Sequence, residues 1–265
     1  DKGGFCNEKL GRQSIEVAEN TLNIKITSHS LNQISNFSKT FKVDKNVVFL
    51  LFSKLNISWL KSLGYKKYII IGMIKFSNRW VNHVKNYTDK NKKIKIYIVI
   101  FSRPYKNSAY IDYETYEFLL LSSYKIVNKL LPNYKIFIKP HPREVESDIL
   151  YLINRFKLKN IEINTEHSAV LARDAFLTIS LWTSAILDSL SMGIPSIEYF
   201  KESKNFLVAE PEGSPYRKYG ISSVNNQLDL ELNIKNIINN SYKNPDIVEN
   251  LKKETNFDFF KFLDT

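Results

Sequence analysis

The sequence predicts an α/β fold in which helices cover a parallel β-sheet. From residue 94 onward, β-rich runs alternate with stretches of helical spacing, the usual pattern of a parallel sheet with crossover helices. The chain has 265 residues, of which 43% are hydrophobic and 25% charged, a composition typical of one large or two modest globular domains. We therefore expect a Rossmann-like domain over residues 94–265 and a smaller α/β part over residues 1–93.

The expected sheet begins with the apolar run 94–101, which predicts a strand, and the loop 102–108 follows it. Apolar residues then recur at helical spacing over 116–130, and Pro132 ends that helix. Residues 134–139 predict the second strand. Beyond it we expect a helix over 146–156, a short strand over 160–164 and a helix from about Ser168.

The later half of this domain carries start and stop signals for its helices. Residues 175–180 predict a strand, and the hydroxyl residues that open the segment 183–192 suit the N-terminus of a helix. Gly193 is the residue type that commonly ends a helix in a left-handed conformation. Residues 194–199 then predict a further strand, and the tail 229–263 is expected to be helical.

The first 93 residues give weaker signals. Residues 46–52 and 68–74 predict strands, whereas residues 30–37 and 57–63 predict helices. Together they make a small α/β unit that is too short to be a Rossmann domain of usual size.

Positive charge is concentrated at the start of the chain. The formal net charge is +11, and residues 1–93 hold 17 of the 38 Lys and Arg but only 6 of the 27 Asp and Glu. Residues 94–265 hold 21 of each kind. Because an excess of positive charge favours anionic partners, we expect residues 1–93 to bind an anionic acceptor or to lie against an acidic membrane surface.

Several classes of protein are excluded by composition. Cys6 is the only cysteine, so neither an intramolecular disulfide nor a cysteine zinc site can form, and a reducing, cytoplasmic setting fits. The longest apolar runs, 46–52 and 68–74, are too short to span a bilayer. His29, His83 and His167 show no metal-ligand spacing with one another, so no structural metal is expected. The chain begins at Asp1 with no signal peptide in sight, and we expect it to be a portion of a longer protein.

The strongest local feature is the segment Lys139-Pro-His-Pro-Arg-Glu144. Proline on both sides of His141 stiffens a loop at the carboxyl end of a predicted strand, and that edge of a parallel sheet is where ligands bind. With Lys139 and Arg143 beside it, His141 is placed to donate hydrogen bonds to a phosphate. The alternative is a rigid turn whose histidine caps a neighbouring helix.

A second feature lies between a predicted strand and the next helix, in the segment Ser180-Leu-Trp-Thr-Ser184. The N–H groups of a helix N-terminus, together with the hydroxyls of Thr183 and Ser184, suit a phosphate. Ordinary N-capping is the alternative. Glu166 follows the short strand and suits the two hydroxyls of a ribose, and Glu198 is the alternative acid for that role.

Lys139-Pro-His-Pro142, Glu166 and Thr183-Ser184 together resemble the CMP-binding half of bacterial sialyltransferases and of the related Kdo transferases of capsule and lipopolysaccharide assembly. The resemblance covers about residues 94–200. It implies the two-domain GT-B architecture and a glycosyltransferase that moves sialic acid or Kdo from a CMP-linked donor to a surface glycan of the bacterium.

Carried over residue by residue, the resemblance implies that His141, Thr183 and Ser184 contact the CMP phosphate and that Glu166 holds the ribose. His141 is then the expected catalytic residue, and no metal or cofactor is required. The remaining positions that we assign to donor binding lie at or beside predicted strand ends. They are Lys139, Ser180, Ser102 and Arg103.

Residues 1–93 depart from this family, because they lack its acidic Asp-x-Asp/Glu-Gly motif, which supplies the general base. The base therefore lies in a segment outside this sequence, or is replaced by an acid such as Glu8, Glu16 or Asp112, or the chemistry is of the retaining Kdo type. The expected location is cytoplasmic, with peripheral contact to the inner membrane.

Two other functions stay open from the sequence. One is a UDP-sugar-dependent transferase or epimerase of the same fold. The other is a non-catalytic nucleic-acid-binding protein, prompted by the net charge of +11 and the 15 tyrosines. Against the second, residues 1–93 carry no aromatic and basic recognition motif, and we expect no nucleic-acid partner.

Overall fold

A computed structural model describes most of the second half of the chain and part of the first. The described residues are 24–25, 48–51, 53–54, 57, 61, 66–87, 97–106, 111–202, 213–214 and 216–255. The chain divides into two compact units, Asp1–Ser77 with Glu249–Thr265 and Asn78–Val248. The sequence placed the boundary later, at residues 93 and 94.

The first unit contains a short parallel sheet. Its strands β1 (Ile24–Lys25), β2 (Val48–Leu51) and β3 (Tyr68–Ile70) lie in that order, with Phe49 opposite Tyr68. Strands β2 and β3 fall inside the two predicted runs. The predicted helix over 30–37 lies outside the described residues, as does most of that over 57–63.

Gly72 makes a close approach within this unit. Its φ of +72° lies in the left-handed region, and a Cβ at this position would lie 2.3 Å from the Cα atom of Thr255. The hydroxyl of Thr255 donates to the Met73 carbonyl over 3.3 Å. Thr255 therefore packs directly on the backbone that follows β3, at a place where only glycine fits.

The second unit alternates strands and helices along the chain. Its described strands are β4 (Tyr97–Phe101), β5 (Lys135–Lys139), β6 (Ile161–Ile163), β7 (Leu177–Ser180), β8 (Ser196–Tyr199) and β9 (Ser223–Val224). Its described helices are α1 (Asn78–Asn86), α2 (Tyr113–Leu130), α3 (Glu146–Arg155), α4 (Ser168–Arg173), α5 (Ile186–Ser191), α6 (Gln227–Ile238) and α7 (Asp246–Glu254), and the unit boundary falls inside α7. None of the described helices is long and apolar enough to cross a membrane.

The six strands pair in the order β6-β5-β4-β7-β8-β9, and every pair is parallel. Within this sheet the chain first forms the central strand β4 and then adds β5 and β6 on one side of it. Strand β7 then pairs with the other side of β4. The order therefore reverses between β4 and β7. In open parallel sheets, ligands bind outside the carboxyl ends of the strands at this reversal.

The core lies on both faces of this sheet. All five residues of β4 are buried, as expected for a parallel strand that helices cover on each side. Ile98 and Ile100 pack with α2 residues in one cluster, whereas Val99 packs with Leu171 of α4 in another. Each such aliphatic side chain stabilises the fold by about 1.5–3 kcal/mol. The predicted α/β fold with a Rossmann-like parallel sheet is confirmed.

Helix α1 belongs to the second unit because α4 holds it. Val84 of α1 packs against Ala169 and Met192. The guanidinium of Arg173 donates to the carbonyl oxygens of Val84, over 2.6 Å, and of Tyr87. Those carbonyls lie at the end of α1, where a cation satisfies the orphan acceptors of the last turn.

Candidate functional site

Three loops meet at the carboxyl edge of the sheet, where β4 lies between β5 and β7. The Ser102 amide, just after β4, donates to the carbonyl of Lys139 at the end of β5 over 3.1 Å. On the other side, the Leu181 amide donates to the Phe101 carbonyl over 2.9 Å. The loops that follow these strands carry most of the residues that the sequence assigned to donor binding.

His141 lies in a tight turn with a fixed imidazole. Its carbonyl accepts from the Glu144 amide over 2.8 Å, and its amide donates to Glu144 Oε2 over 3.0 Å. The ring nitrogen Nδ1 accepts from the Arg143 amide over 3.1 Å. Because Nδ1 is an acceptor, the neutral ring carries its proton on Nε2. His141 therefore presents a hydrogen-bond donor and is only half-buried.

The surroundings of His141 keep its ring neutral. Burial, together with the positive charges of Arg143, Arg103 and Lys139, lowers the pKa of His141 to about 4. The sequence predicted that His141 donates hydrogen bonds to a phosphate and helps to offset its negative charge. In the structure the offsetting positive charge comes from the three cations around it, while His141 supplies a neutral donor.

Lys139 and Glu166 lie near one another. Burial lowers the pKa of the half-buried Lys139 ammonium, and the carboxylates of Glu146, Glu166 and Glu144 oppose that shift. The ammonium donates to the Pro140 carbonyl over 3.1 Å. Lys139 therefore stays beside the His141 turn and adds positive charge to this edge of the sheet.

Arg103 links the loop after β4 to the loop after β7, and the strand order reverses between these two strands. Its Nη1 atom donates to the Trp182 carbonyl over 2.5 Å, and its guanidinium lies 4.2 Å from the centre of the Trp182 ring. Trp182 has a φ of 51°, which is uncommon for a bulky residue and occurs where the surroundings enforce it. The Arg103 contacts are part of what holds the sharp turn after β7.

The three hydroxyl residues at the end of β7 and in the turn after it have different contacts. Ser180 is buried and donates to the Thr183 carbonyl over 2.8 Å, so its hydroxyl serves the turn. Thr183 Oγ1 accepts weakly from the Ala185 amide over 3.4 Å. Ser184 is exposed. Helix α5 starts at Ile186, later than predicted.

The later start of α5 follows from its first hydrogen bonds. The amides of Ile186 and Leu187 donate to carbonyls three residues back, at Thr183 and Ser184. This is the tight spacing of a 3₁₀ turn, in which the α-helical pattern has not yet begun.

The acidic candidates occupy distinct places. Glu166 is half-buried and its Oε1 atom accepts from the His167 amide over 2.9 Å. Glu198 is fully buried and accepts from the hydroxyls of Ser214 and Ser223, so its contacts are internal. Of the two ribose candidates, Glu166 is the one that reaches solvent.

The base candidates lie elsewhere or outside the described residues. Asp112 caps helix α2, where its carboxylate accepts from the Thr115 amide over 2.7 Å, and that hydrogen bond lowers the pKa of Asp112. Glu8 and Glu16 fall outside the described residues. Within the described ranges, no three His, Cys, Asp or Glu side chains converge as a metal site would require.

Glu144 had no predicted role, yet the structure places it directly behind the His141 turn. Its Oε2 atom accepts from the hydroxyl of Ser102 and from the amide of His141. Ser102 is buried, so its hydroxyl serves this internal link. A glutamate three residues after a proline-flanked histidine was the only available signal, and its partner Ser102 lies far away in the sequence.

No protein-family model matches the chain, and no curated protein is detectably similar to it. Solved structures do share its fold. The UDP-GlcNAc 2-epimerase of Methanocaldococcus jannaschii, in complex with UDP-GlcNAc and UDP, superposes with a TM-score of 0.60 at 14% identity, over 99% of this chain and 82% of that one. A second structure of that epimerase superposes with a TM-score of 0.52 at 15% identity, over 99% of this chain and 83% of that one.

A putative UDP-N-acetylglucosamine 2-epimerase from Listeria monocytogenes gives a TM-score of 0.53 at 12% identity, over 91% of this chain and 64% of that one. At such identities the likeness concerns the fold alone. With its parallel six-stranded sheet and its smaller α/β part, the chain is an α/β protein of the GT-B-like class.

Proposed function

We propose that the protein is a nucleotide-sugar enzyme that binds a UDP-sugar at the carboxyl edge of β4, β5 and β7 and breaks the bond between the sugar and UDP, transferring the sugar to an acceptor. One observation carries this proposal. Three cations, Lys139, Arg103 and Arg143, lie close enough to His141 to lower its pKa, and this group lies where the strand order reverses. His141 is therefore a neutral hydrogen-bond donor among positive charges. Such a cluster suits phosphate oxygens.

The charge of this cluster favours UDP over the CMP donor that the sequence suggested. The two phosphates of a UDP-sugar carry about two negative charges, and the single phosphate of a CMP-sugar carries about one, so three cations match the diphosphate better. The three solved structures described above add support, because two are of a UDP-GlcNAc 2-epimerase and the third is of a putative one.

The proposed chemistry needs stabilisation of the departing UDP. The bond between the anomeric carbon and the phosphate oxygen breaks, and its electron pair stays on the phosphate. His141 Nε2–H donates to that phosphate while the three cations offset its charge. The acceptor hydroxyl bonds to the anomeric carbon and gives its proton to a base. Glu166 is proposed to hold the ribose, and the exposed Ser184 to donate to a phosphate.

A second candidate is transfer from a CMP-sugar. His141, Glu166 and Thr183, on which the resemblance to sialyltransferases rests, all follow strands of this one sheet at its carboxyl edge. In either case the acceptor is a glycan or glycolipid. An anionic membrane surface and a cytoplasmic location remain part of the proposal.

The first experiment compares UDP, CMP, GDP and ADP in thermal unfolding and calorimetry. UDP should raise the melting temperature most, since a ligand at a hundred times its Kd stabilises the native state by about 2.7 kcal/mol. His141→Ala should weaken UDP binding by about 10- to 100-fold, the usual effect of losing a hydrogen bond to a charged group.

His83→Ala is the matched control, because His83 is an exposed histidine on α1. It should bind UDP as the unmodified protein does. A larger stabilisation by CMP would select the second candidate, and no response to any nucleotide would refute both. Release of UDP from UDP-GlcNAc and other UDP-sugars, measured with and without glycan acceptors, then identifies the reaction.

A further inference from the structure

One carboxylate joins the loops that follow β4 and β5. Glu144 Oε2 accepts from the amide of His141 over 3.0 Å and from the hydroxyl of Ser102. The Glu144 amide in turn donates to the His141 carbonyl over 2.8 Å. A single residue therefore holds both backbone polar groups of His141 and ties its turn to the end of the central strand.

The remaining contact of His141 fixes the direction of its ring. Nδ1 accepts from the Arg143 amide, which lies inside the turn that Glu144 closes. If that turn opened, the Arg143 amide would no longer donate to Nδ1. The Nε2–H tautomer of His141 would then no longer be favoured over the Nδ1–H tautomer. The position and the protonated nitrogen of His141 both depend on the same carboxylate.

The burial of Glu144 has a free-energy cost that a simple turn does not require. Its Oε1 atom is buried, and burial raises the pKa of the carboxyl while the hydrogen bond from Ser102 opposes that shift. A serine or asparagine closes comparable turns without burying a charge. Buried carboxylates at a sheet edge that binds ligands are commonly kept for a function.

We propose that Glu144 is a positioning residue that sets the Nε2 donor of His141 against the phosphate of the nucleotide, with Ser102, just after β4, as its anchor. This inference rests on the proposed function, because it concerns the contact of His141 with that phosphate. Glu144 itself does not touch the nucleotide. It acts through the His141 turn, much as residues behind metal ligands orient them.

The test compares Glu144→Ala with Glu144→Gln in the full chain. The glutamine keeps an oxygen in the place of Oε2, so it should retain UDP affinity within about threefold, whereas the alanine should lose about 10- to 100-fold, as outer-shell residues do. Glu114→Ala is the matched control, since Glu114 is exposed on α2. It should leave binding unchanged.

The second measurement is the ¹⁵N NMR signature of the His141 ring at neutral pH, with UDP absent. The unmodified protein and Glu144→Gln should show a single Nε2–H tautomer, and Glu144→Ala should show a mixture. If Glu144→Ala does not fold, Ser102→Ala removes the anchor instead and should shift the tautomer in the same direction.

A single Nε2–H tautomer and full UDP affinity in Glu144→Ala, or in Ser102→Ala where that variant replaces it, would overturn the inference. So would a Glu144→Gln variant as impaired as the alanine variant. Failure of the unmodified protein to bind any nucleotide refutes the proposed function and with it the phosphate contact. The tautomer measurement would still show whether Glu144 controls His141, so the two failures are distinguishable.

Discussion

His141 combines a neutral ring with strongly positive surroundings. A cationic imidazole beside Arg143, Arg103 and Lys139 would add a fourth positive charge to a half-buried site, and the lowered pKa reflects that repulsion together with burial. A bound phosphate reverses the balance, because an anion next to the ring favours its charged form. Nucleotide binding and protonation of His141 should therefore be coupled.

A ¹H NMR titration of His141 measures this coupling. Without ligand the midpoint should lie near 4, well below the ordinary value of 6.5. With saturating UDP the midpoint should move upward, so UDP affinity should increase as the pH falls through the bound-state midpoint toward the ligand-free midpoint. His141→Asn should abolish that pH dependence. A ligand-free midpoint at 6.5, or one that UDP does not move, would contradict the proposed surroundings.

At the residue scale, the sequence identified the histidine but not what holds it. Two flanking prolines mark His141 because their effect on the backbone is local. The Ser102 contact to Glu144 and the Arg103 contact to Trp182 join residues far apart in the chain. Contacts of this kind depend on which strands become neighbours, so no local pattern predicts them.

At the scale of elements, the alternation of strands and helices was sufficient to predict the second unit. The predicted segments 134–139 and 146–156 contain β5 and α3 and are each one residue longer, and Gly193, with a φ of 79°, follows α5 as predicted. The start of α5 was placed too early. Its hydroxyl residues suggested an N-cap, but the left-handed Trp182 and the tight turn after it delay the helix, and a tryptophan gives no signal for such a conformation.

Gly72 offers a test of how Thr255, just after α7, packs within the first unit. Gly72→Ala should destabilise the protein by the left-handed strain of about 1–2 kcal/mol and by a further overpacking cost of about 1–3 kcal/mol, because the new Cβ would meet the Thr255 backbone. Thermal unfolding measures the sum.

Gly220→Ala is the control for this substitution, because Gly220 has the same φ of +72° but nothing within 4 Å of the new Cβ. It should show the strain cost alone. Equal destabilisation by the two substitutions would mean that Thr255 does not pack on Gly72.

At the scale of the whole molecule, the division into units changes the picture of charge. Counted by structural unit, Lys and Arg outnumber Asp and Glu by 15 to 9 in the first unit and by 23 to 18 in the second. The basic excess is therefore shared. The sequence division at residue 93 separated α1 and the basic residues that follow it from the sheet, because the contacts that hold α1 involve Arg173, far along the chain.

Two fragments test that division. A fragment over 78–248 should fold cooperatively, since it contains the whole six-stranded sheet. A fragment over 94–248 lacks α1, so it loses the buried Val84 side chain and the carbonyl oxygens that accept from Arg173. We expect it to melt at least about 5 °C lower. Circular dichroism during heating gives both melting temperatures. Equal melting temperatures would place α1 outside the second unit.

The pairing of β4 with β7 also determines when the site can form during synthesis. Ile98 and Leu177 are partners in the sheet, yet the ribosome makes α2, β5, α3, β6 and α4 before Leu177 emerges. Long-range parallel pairing of this kind is slow and leaves strand edges open meanwhile. Until β7 arrives, Arg103 lacks the Trp182 carbonyl and β4 has a bare edge, so the nascent chain is most exposed to misassembly and most in need of chaperones during that interval.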